Sequence, residues 1–443
     1  AIYERLCKYF TKKYTAVVHS SAFFYQKELD ETGKYHKGNY LVDRTFFKNI
    51  SVCTIDQVLS QGFNIGYWEI KTFHMLNSWV IIDEIHLYAP YTLGLIISTI
   101  TYLKKEFGTR FFIMTATMPT KLQILLKKTL EINERSVIRD QELLEKARNV
   151  FEVRDHLVDS LVDEIKQELK AKKKVLIVVN TVDEAIRLYK NFHGIADKTI
   201  CYHSRFIQKD RLKKEKEILK CEKELTSLLL VATQVVEVSL DIDFDILFSE
   251  NAPVDAIIQR AGRVNRGRGK NETKVIIFKE QDVTREVIYT EVEGILINTF
   301  EEFKKRNGER LTENELIKLV DEIYKDYDVE KHPSFVESIA LYETIQRKNH
   351  YVKDNGERGE VYTREGLDSE SVIPYRFYEE LKEAEPAKIA KYELSLRTGK
   401  LKNIIRKGEF PYLKEDYYQY LGCKYSCEIG FELDKTYEQK SNY

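Results

Sequence analysis

What this chain lacks narrows its class first. No run of about 18 apolar residues occurs in its 443, so no membrane-crossing helix is expected. The opening AIYERLCKYF is charged and amphipathic, without the apolar block of a secretory signal. It begins on Ala1 rather than Met, so a fragment or processed product is expected. Six cysteines (Cys7, Cys53, Cys201, Cys221, Cys423, Cys427) lie scattered, which suits reduced thiols in the cytoplasm and not a disulfide framework. The one close pair, Cys423 and Cys427, has no second pair and no nearby His, so it reads as two thiols and not a metal site. A global charge of one sign is missing too: 70 Lys and Arg face 71 Asp and Glu. Contact with nucleic acid must then come from a local basic surface. Internal repeats and low-complexity tracts are absent.

What is present is an alternation. Short β-branched and apolar runs at Ser78–Asp83, Arg110–Met114, Lys174–Val179, Thr199–Tyr202, Ser227–Ala232 and Asp245–Phe248 predict strands. Helical stretches separate them at Tyr91–Phe107, Lys121–Leu130, Val182–Phe192 and Lys209–Cys221. Such a pattern predicts a parallel α/β sheet, and its restart after the charged connector 131–150 predicts two sheets in tandem with a cleft between them. Ligands in such folds sit at the carboxyl ends of the strands. Beyond about Gln281 the predicted elements are charged helices (283–305 and 312–327), then a Tyr-rich tail. The expected division is 1–145, 146–280, a helical linker 281–335 and an accessory domain 336–443.

In VIIDEIH (Val80–His86), Asp83 and Glu84 fall where a buried strand stops. A nucleotide hydrolase needs one carboxylate there for Mg²⁺ and a neighbour to orient water. Taken alone the pair equally starts the next helix, where acids suit the dipole. His86 could link this turn to a nucleic-acid side. Thr115 and Thr117 in MTATMP end the next strand and could bridge the acidic loop to a facing domain; ordinary turn chemistry is the plainer reading. Thr54 and Asp56 in SVCTIDQVL read as helix caps or as donors to a phosphate, and both roles are compatible.

The arginine-rich AIIQRAGRVNRGRGK (Ala256–Lys270) is the strongest signal. Continued as a helix, it places Gln259, Arg263 and Arg266 on one face. Guanidinium forks hold phosphate bidentately and keep their charge. Ala261, Gly262 and Gly267 argue for close packing rather than a solvated basic face. Upstream, Thr233 could touch a backbone phosphate and Asp241 a ribose, unless these side chains only stabilise turns. His203 and Ser204 in CYHSRF are further candidate phosphate contacts.

DEIH, TAT, ATQVVEVSLDID and QRAGRVNR stand here in the order of motifs II, III, V and VI of superfamily 2 helicases. With TIDQVL, DEIHLY and VYTREGLDSESVIPYRF (361–377), the wording most resembles the CRISPR-associated helicase-nuclease of type I systems, over nearly the whole chain. The resemblance implies two tandem RecA-like domains, the first incomplete. It implies an ATP- and Mg²⁺-dependent translocase on single-stranded DNA. An RNA-guided CRISPR surveillance complex would recruit it, and an HD nuclease would degrade the strand. By carry-over, Asp83 and Glu84 serve Mg²⁺ and water, and Gln259, Arg263 and Arg266 the γ-phosphate; Thr54, Thr115, Thr117 and Thr233 belong to the strand-gripping and coupling surface.

Two departures stand out. No G-x-x-x-x-G-K-[ST] loop occurs; the nearest stretches, Thr32–Tyr35 and Thr398–Leu401, lack its hydroxyl and preceding glycine. No His-Asp dipeptide occurs either. In the family both precede the point matching AIYERL, so an N-terminally truncated member, inactive alone, is the expectation. The alternatives are another DExH helicase acting on RNA or in DNA repair, and a remnant that binds nucleic acid without hydrolysis.

Overall fold

The computed structural model describes residues 2–19, 22–29, 35–115, 117–267, 269–270, 273–349, 369–415 and 417–436. Residues 32–34 of the first near-match to a phosphate loop, and 361–368 of the accessory motif, fall outside these. The chain forms two compact units: Ala1–Ile138 with Tyr327–Leu367, and Arg139–Asp326 with Asp368–Tyr443.

In the first unit, Trp79–Asp83 and Arg110–Met114 pair in parallel, Asp83 opposite Met114. Their crossover is the helix Pro90–Phe107, which begins on Pro90 and ends at Gly108 in the left-handed region (φ 62). Ten of its residues are buried, from Tyr91 to Leu103. A second parallel pair joins Thr15–Val18 to Ile50–Cys53. The helix Pro333–Asn349, which the sequence division splits between linker and tail, belongs to this unit. It closes on Pro90–Phe107 where Gly94 sits: a Cβ there would lie 2.1 Å from Ser338 Oγ and 2.8 Å from the Phe335 carbonyl oxygen. Tyr342, on the same helix, accepts a hydrogen bond from Gln61 Nε2 at 3.1 Å and packs edge-on against Phe63.

The second unit holds a seven-stranded sheet. Its order is Glu309–Thr312, Ala147–Arg154, Lys274–Phe278, Ile246–Glu250, Lys174–Val178, Leu228–Ala232, Lys198–Tyr202. All pairings are parallel except that of the edge strand Glu309–Thr312. The central strands are buried along their length, as a sheet covered on both faces requires. Their carboxyl ends therefore face one way and gather the loops 179–181, 203–207 and 233–245. Ser369–Pro374, Leu394–Arg397, Tyr412–Glu415 and Tyr418–Leu421 form a smaller sheet in the same unit. The hairpin Cys423–Ser426/Gly430–Thr436 follows.

The expected α/β class holds, and Arg110–Met114 and Val182–Phe192 fall where the pattern puts them. One element was absent from the expectation: Glu309–Thr312 lies between the two charged helices as an antiparallel strand. Overpacking at Gly94 gives a direct test of the first unit. Gly94→Ala should destabilise it by about 1–3 kcal/mol in urea unfolding, because the added methyl meets the Phe335 carbonyl.

Candidate functional site: an acidic turn and an arginine-locked loop

At the end of Trp79–Asp83 the chain turns sharply. The Glu84 N–H still bonds the Met114 carbonyl at 2.9 Å, but its φ and ψ are 52° and 46°. A non-glycine residue held there costs about 1–3 kcal/mol, and such strain clusters at functional turns. The turn leaves the Asp83 side chain exposed. Glu84 swings toward His86, Oε2 to Nδ1 3.5 Å. The same Nδ1 lies 2.6 Å from Thr115 Oγ1, which in turn donates to the Thr117 carbonyl at 3.4 Å. With that hydroxyl proton committed, Thr115 receives the proton on His86 Nδ1. Glu84, His86, Thr115 and Thr117 thus form one connected set at adjacent strand ends, with the exposed Asp83 beside it. Thr117 Oγ1 is buried and has no hydrogen-bond partner in this structure.

Thr54 occupies the N-cap of Ile55–Leu59, but its hydroxyl makes no capping bond, which corrects the capping expectation for that side chain. It is exposed, at the end of the other parallel pair. Asp56 lies in the first turn, where an acid suits the helix dipole.

In the second unit the helix is shorter than the spacing predicts. It spans Val254–Ala261 and stops at Gly262. Gln259, Arg263 and Arg266 therefore do not share a helical face, and that expectation is corrected. The reason is a competing set of bonds: the Phe244 N–H donates to the Arg263 carbonyl at 2.9 Å, and Val264 bridges Phe244. Asn265, at φ 50°, closes the turn through Nδ2 to the Arg148 and Lys270 carbonyls. Arg263 donates to the carbonyls of Leu240 (2.9 Å) and Glu237, fastening the 237–240 segment. Arg266 is exposed and its Nε meets Asp241 Oδ1 at 2.9 Å. Arg263, Arg266 and Asp241 are thus brought together, while Gln259 stays on the helix.

The residue that sequence reasoning missed is Arg260, which is fully buried. Its Nε donates to Glu237 Oε1 (2.8 Å), one terminal nitrogen to Ser249 Oγ and the Glu250 carbonyl (3.0 Å each), the other to Asn180 Oδ1 (2.9 Å). Glu250 in turn accepts from the Asn180 N–H at 2.8 Å and the Gln281 N–H at 3.1 Å. Burial pushes the Glu237 and Glu250 carboxyls upward, while Arg260 draws both back. The signal was present: Arg260 falls three after Ile257 and four after Ala256, on the apolar side of the helix.

Thr233 is buried at the end of Leu228–Ala232, its N–H bonded to the Tyr202 carbonyl at 3.3 Å. His203 is enclosed completely, stacked on Phe206 at 4.5 Å between ring centres. The expectation of a phosphate contact at His203 is corrected: the ring is a core group. Ser204 beside it is exposed.

An Asp-Glu turn at a parallel strand end suits Mg²⁺, which takes one or two carboxylates and completes its shell with phosphates and water. Asp83 and Glu84 are the residues that would hold it; the sequence has no G-x-x-x-x-G-K-[ST] match.

Comparisons with known proteins bear on the fold and the family likeness. The family profile described as CRISPR-associated nuclease/helicase Cas3, C-terminal, matches residues 171–269. A putative CRISPR-associated nuclease/helicase Cas3 of Methanocaldococcus jannaschii is 28% identical over 99% of this chain and 63% of its own length. The CRISPR-associated endonuclease/helicase Cas3 of Escherichia coli K12 is 26% identical, over 75% of this chain and 44% of that protein. Among solved structures, T. fusca Cas3 with AMPPNP superposes with a TM-score of 0.71 at 19% identity, covering 95% of this chain and 60% of that one. The fold is that of the T. fusca Cas3 structure, with tandem RecA-like domains. Likeness to Cas3 nuclease/helicases therefore runs over nearly the whole chain. The chain spans less than two thirds of the length of these relatives.

Arg260→Lys keeps the charge but loses the fork, so it should cost about 3–5 kcal/mol in chemical unfolding of the second unit. A loss under about 1 kcal/mol would show that the network is not a structural requirement.

Proposed function

We propose that this chain is the motor part of an ATP-dependent single-stranded DNA translocase serving CRISPR interference, unwinding target DNA and feeding it to an HD nuclease. The observation that carries the reading is the linked turn pair. Glu84 lies 3.5 Å from His86, which is hydrogen-bonded to Thr115, so a change of charge at the acidic turn reaches the end of the next strand through one imidazole. Asp83 holds Mg²⁺ and Glu84 orients the attacking water; Arg266, with Gln259, meets the γ-phosphate charge, while Arg263 keeps the loop in place through the Leu240 and Glu237 carbonyls. Of the two arginines, Arg266 is the freer: it is exposed and its pair with Asp241 is a surface one, which solvent screens. Asp241 would hold Arg266 until nucleotide arrives. Thr54 and Ser204, both exposed at strand ends, contact the DNA backbone without reading bases.

Recruitment by an RNA-guided surveillance complex is part of the same proposal. It is supported by likeness to the structure titled CRISPR RNA-guided surveillance complex, pre-nicking, which this chain matches at a TM-score of 0.62 and 18% identity. ATP as the fuel is supported by the nucleotide-bound forms of T. fusca Cas3.

The 443-residue chain by itself should show only background ATP turnover, with or without single-stranded DNA, because its sequence holds no G-x-x-x-x-G-K-[ST] motif to cradle the β-phosphate. DNA-stimulated turnover above background would contradict this. In a polypeptide that joins a phosphate loop to this chain, Arg266→Ala should lower turnover about 10³-fold or more while sparing DNA binding. Unchanged turnover would remove the arginine from the reaction.

A further inference from the structure

The loop between the strand Lys198–Tyr202 and the helix Gln208–Glu224 is held from outside the helicase sheet. Of Cys201–Ile207, only Ser204 is exposed. Its neighbours are fixed by the C-terminal hairpin. The Phe431 N–H donates to the Arg205 carbonyl at 3.0 Å, and His203 Nε2 lies 3.0 Å from the Ile429 carbonyl. His203 Nδ1 accepts from the Arg205 N–H at 3.2 Å. These two bonds fix the neutral tautomer with the proton on Nε2, and burial pushes the His203 pKa down to about 3.

The loop's exit is tied by Tyr425. Its hydroxyl accepts from the Ile207 N–H at 3.2 Å and donates to Asp210 Oδ2 at 2.7 Å. The Gln208 N–H reaches the Glu393 carbonyl at 3.1 Å, and Lys214 Nζ the Glu428 carbonyl at 2.9 Å. The hairpin approaches so closely that only glycine fits at 430. Its φ is +74°, and a Cβ would stand 2.6 Å from the Arg205 carbonyl oxygen and 2.8 Å from His203 Cε1. Covering a loop's flanks this fully while leaving one hydroxyl in solvent is more than stability asks of a surface turn, which usually runs exposed.

We propose that the C-terminal hairpin is a positioning element for nucleic-acid contact: Tyr425 and Gly430 set the loop that presents Ser204 to a phosphate of single-stranded DNA. This rests on the DNA-binding reading above and adds that the accessory sheet shapes the helicase's own contact surface. Any displacement of the accessory sheet then moves Ser204 with it, since the intervening groups are hydrogen-bonded and buried.

The test measures anisotropy of a labelled oligothymidine with the chain and with Ser204→Ala, Tyr425→Phe and Gly430→Ala, plus the Ser204→Ala/Tyr425→Phe double variant. Ser204→Ala and Tyr425→Phe should each weaken binding about five-fold, and the double variant should be no weaker than either single one. Gly430→Ala should weaken binding at least as much, with faster amide exchange confined to residues 203–207 and 429–431. A parent chain that binds no oligonucleotide contradicts the functional reading. A parent that binds while Tyr425→Phe and Gly430→Ala, with loosened 203–207 amides, bind equally well contradicts the positioning role alone. Independent, additive losses in the double variant also overturn it, since a merely structural effect would add.

Discussion

A buried guanidinium is the constraint on which the second unit depends. Arg260 carries a charge that cannot be lost, so its removal from water must be offset by acceptors on several sides. It finds them at the carboxyl ends of three adjacent strands: Asn180 after Lys174–Val178, Glu237 in the loop after Leu228–Ala232, and Ser249 with Glu250 closing Ile246–Glu250. Those are the loops where a parallel sheet places its ligands. One side chain therefore sets the relative heights of the elements that carry the candidate phosphate-binding groups.

The consequences spread outward from that point. Because Arg260 pins Glu237, the short segment 237–240 is fixed, and its carbonyls become the acceptors for Arg263. Arg263 then anchors the turn that carries Arg266 into solvent, where Asp241 holds it. The three arginines so divide the work by depth. The deepest builds the frame, the next fastens the loop, and the outermost stands in solvent, paired only at the surface with Asp241. In the first unit, strain at Glu84 plays a comparable part, forcing Asp83 and Glu84 apart so that one faces solvent and the other His86.

Much of this was legible from residue pattern. Continuous apolar runs such as RFFIM and KVLIVV announce buried parallel strands, and the position of DEIH at a strand end announces an acid turn. The misreadings have physical causes. Spacing of three and four residues made Gln259, Arg263 and Arg266 look like one helical face, but Gly262 and the backbone pairing of Phe244 with Arg263 and Val264 end the helix first. Arg260 was passed over because an arginine on an apolar face is rare unless fully paired, and its partners lie 10 to 80 residues away in sequence. His203 resembled a phosphate contact because its enclosing partner, the Ile429 carbonyl, comes from the far end of the chain. The return of Pro333–Asn349 to the first unit is a similar long-range fact: only Gly94 and Gly62, small residues where that helix approaches, hint at it.

A double-mutant cycle on Arg260 and Glu237 addresses the frame directly. Unfolding free energies would be compared for the parent chain, Arg260→Met, Glu237→Gln and the pair together. Arg260→Met leaves the buried Glu237 carboxylate unpaired and Glu237→Gln leaves the Arg260 charge without its counter-charge, so each should destabilise the second unit, and the double variant should fall well short of their sum, with a coupling of about 1–3 kcal/mol. Additive losses, with no coupling, would contradict the claim that this buried pair holds the loops of the site in place.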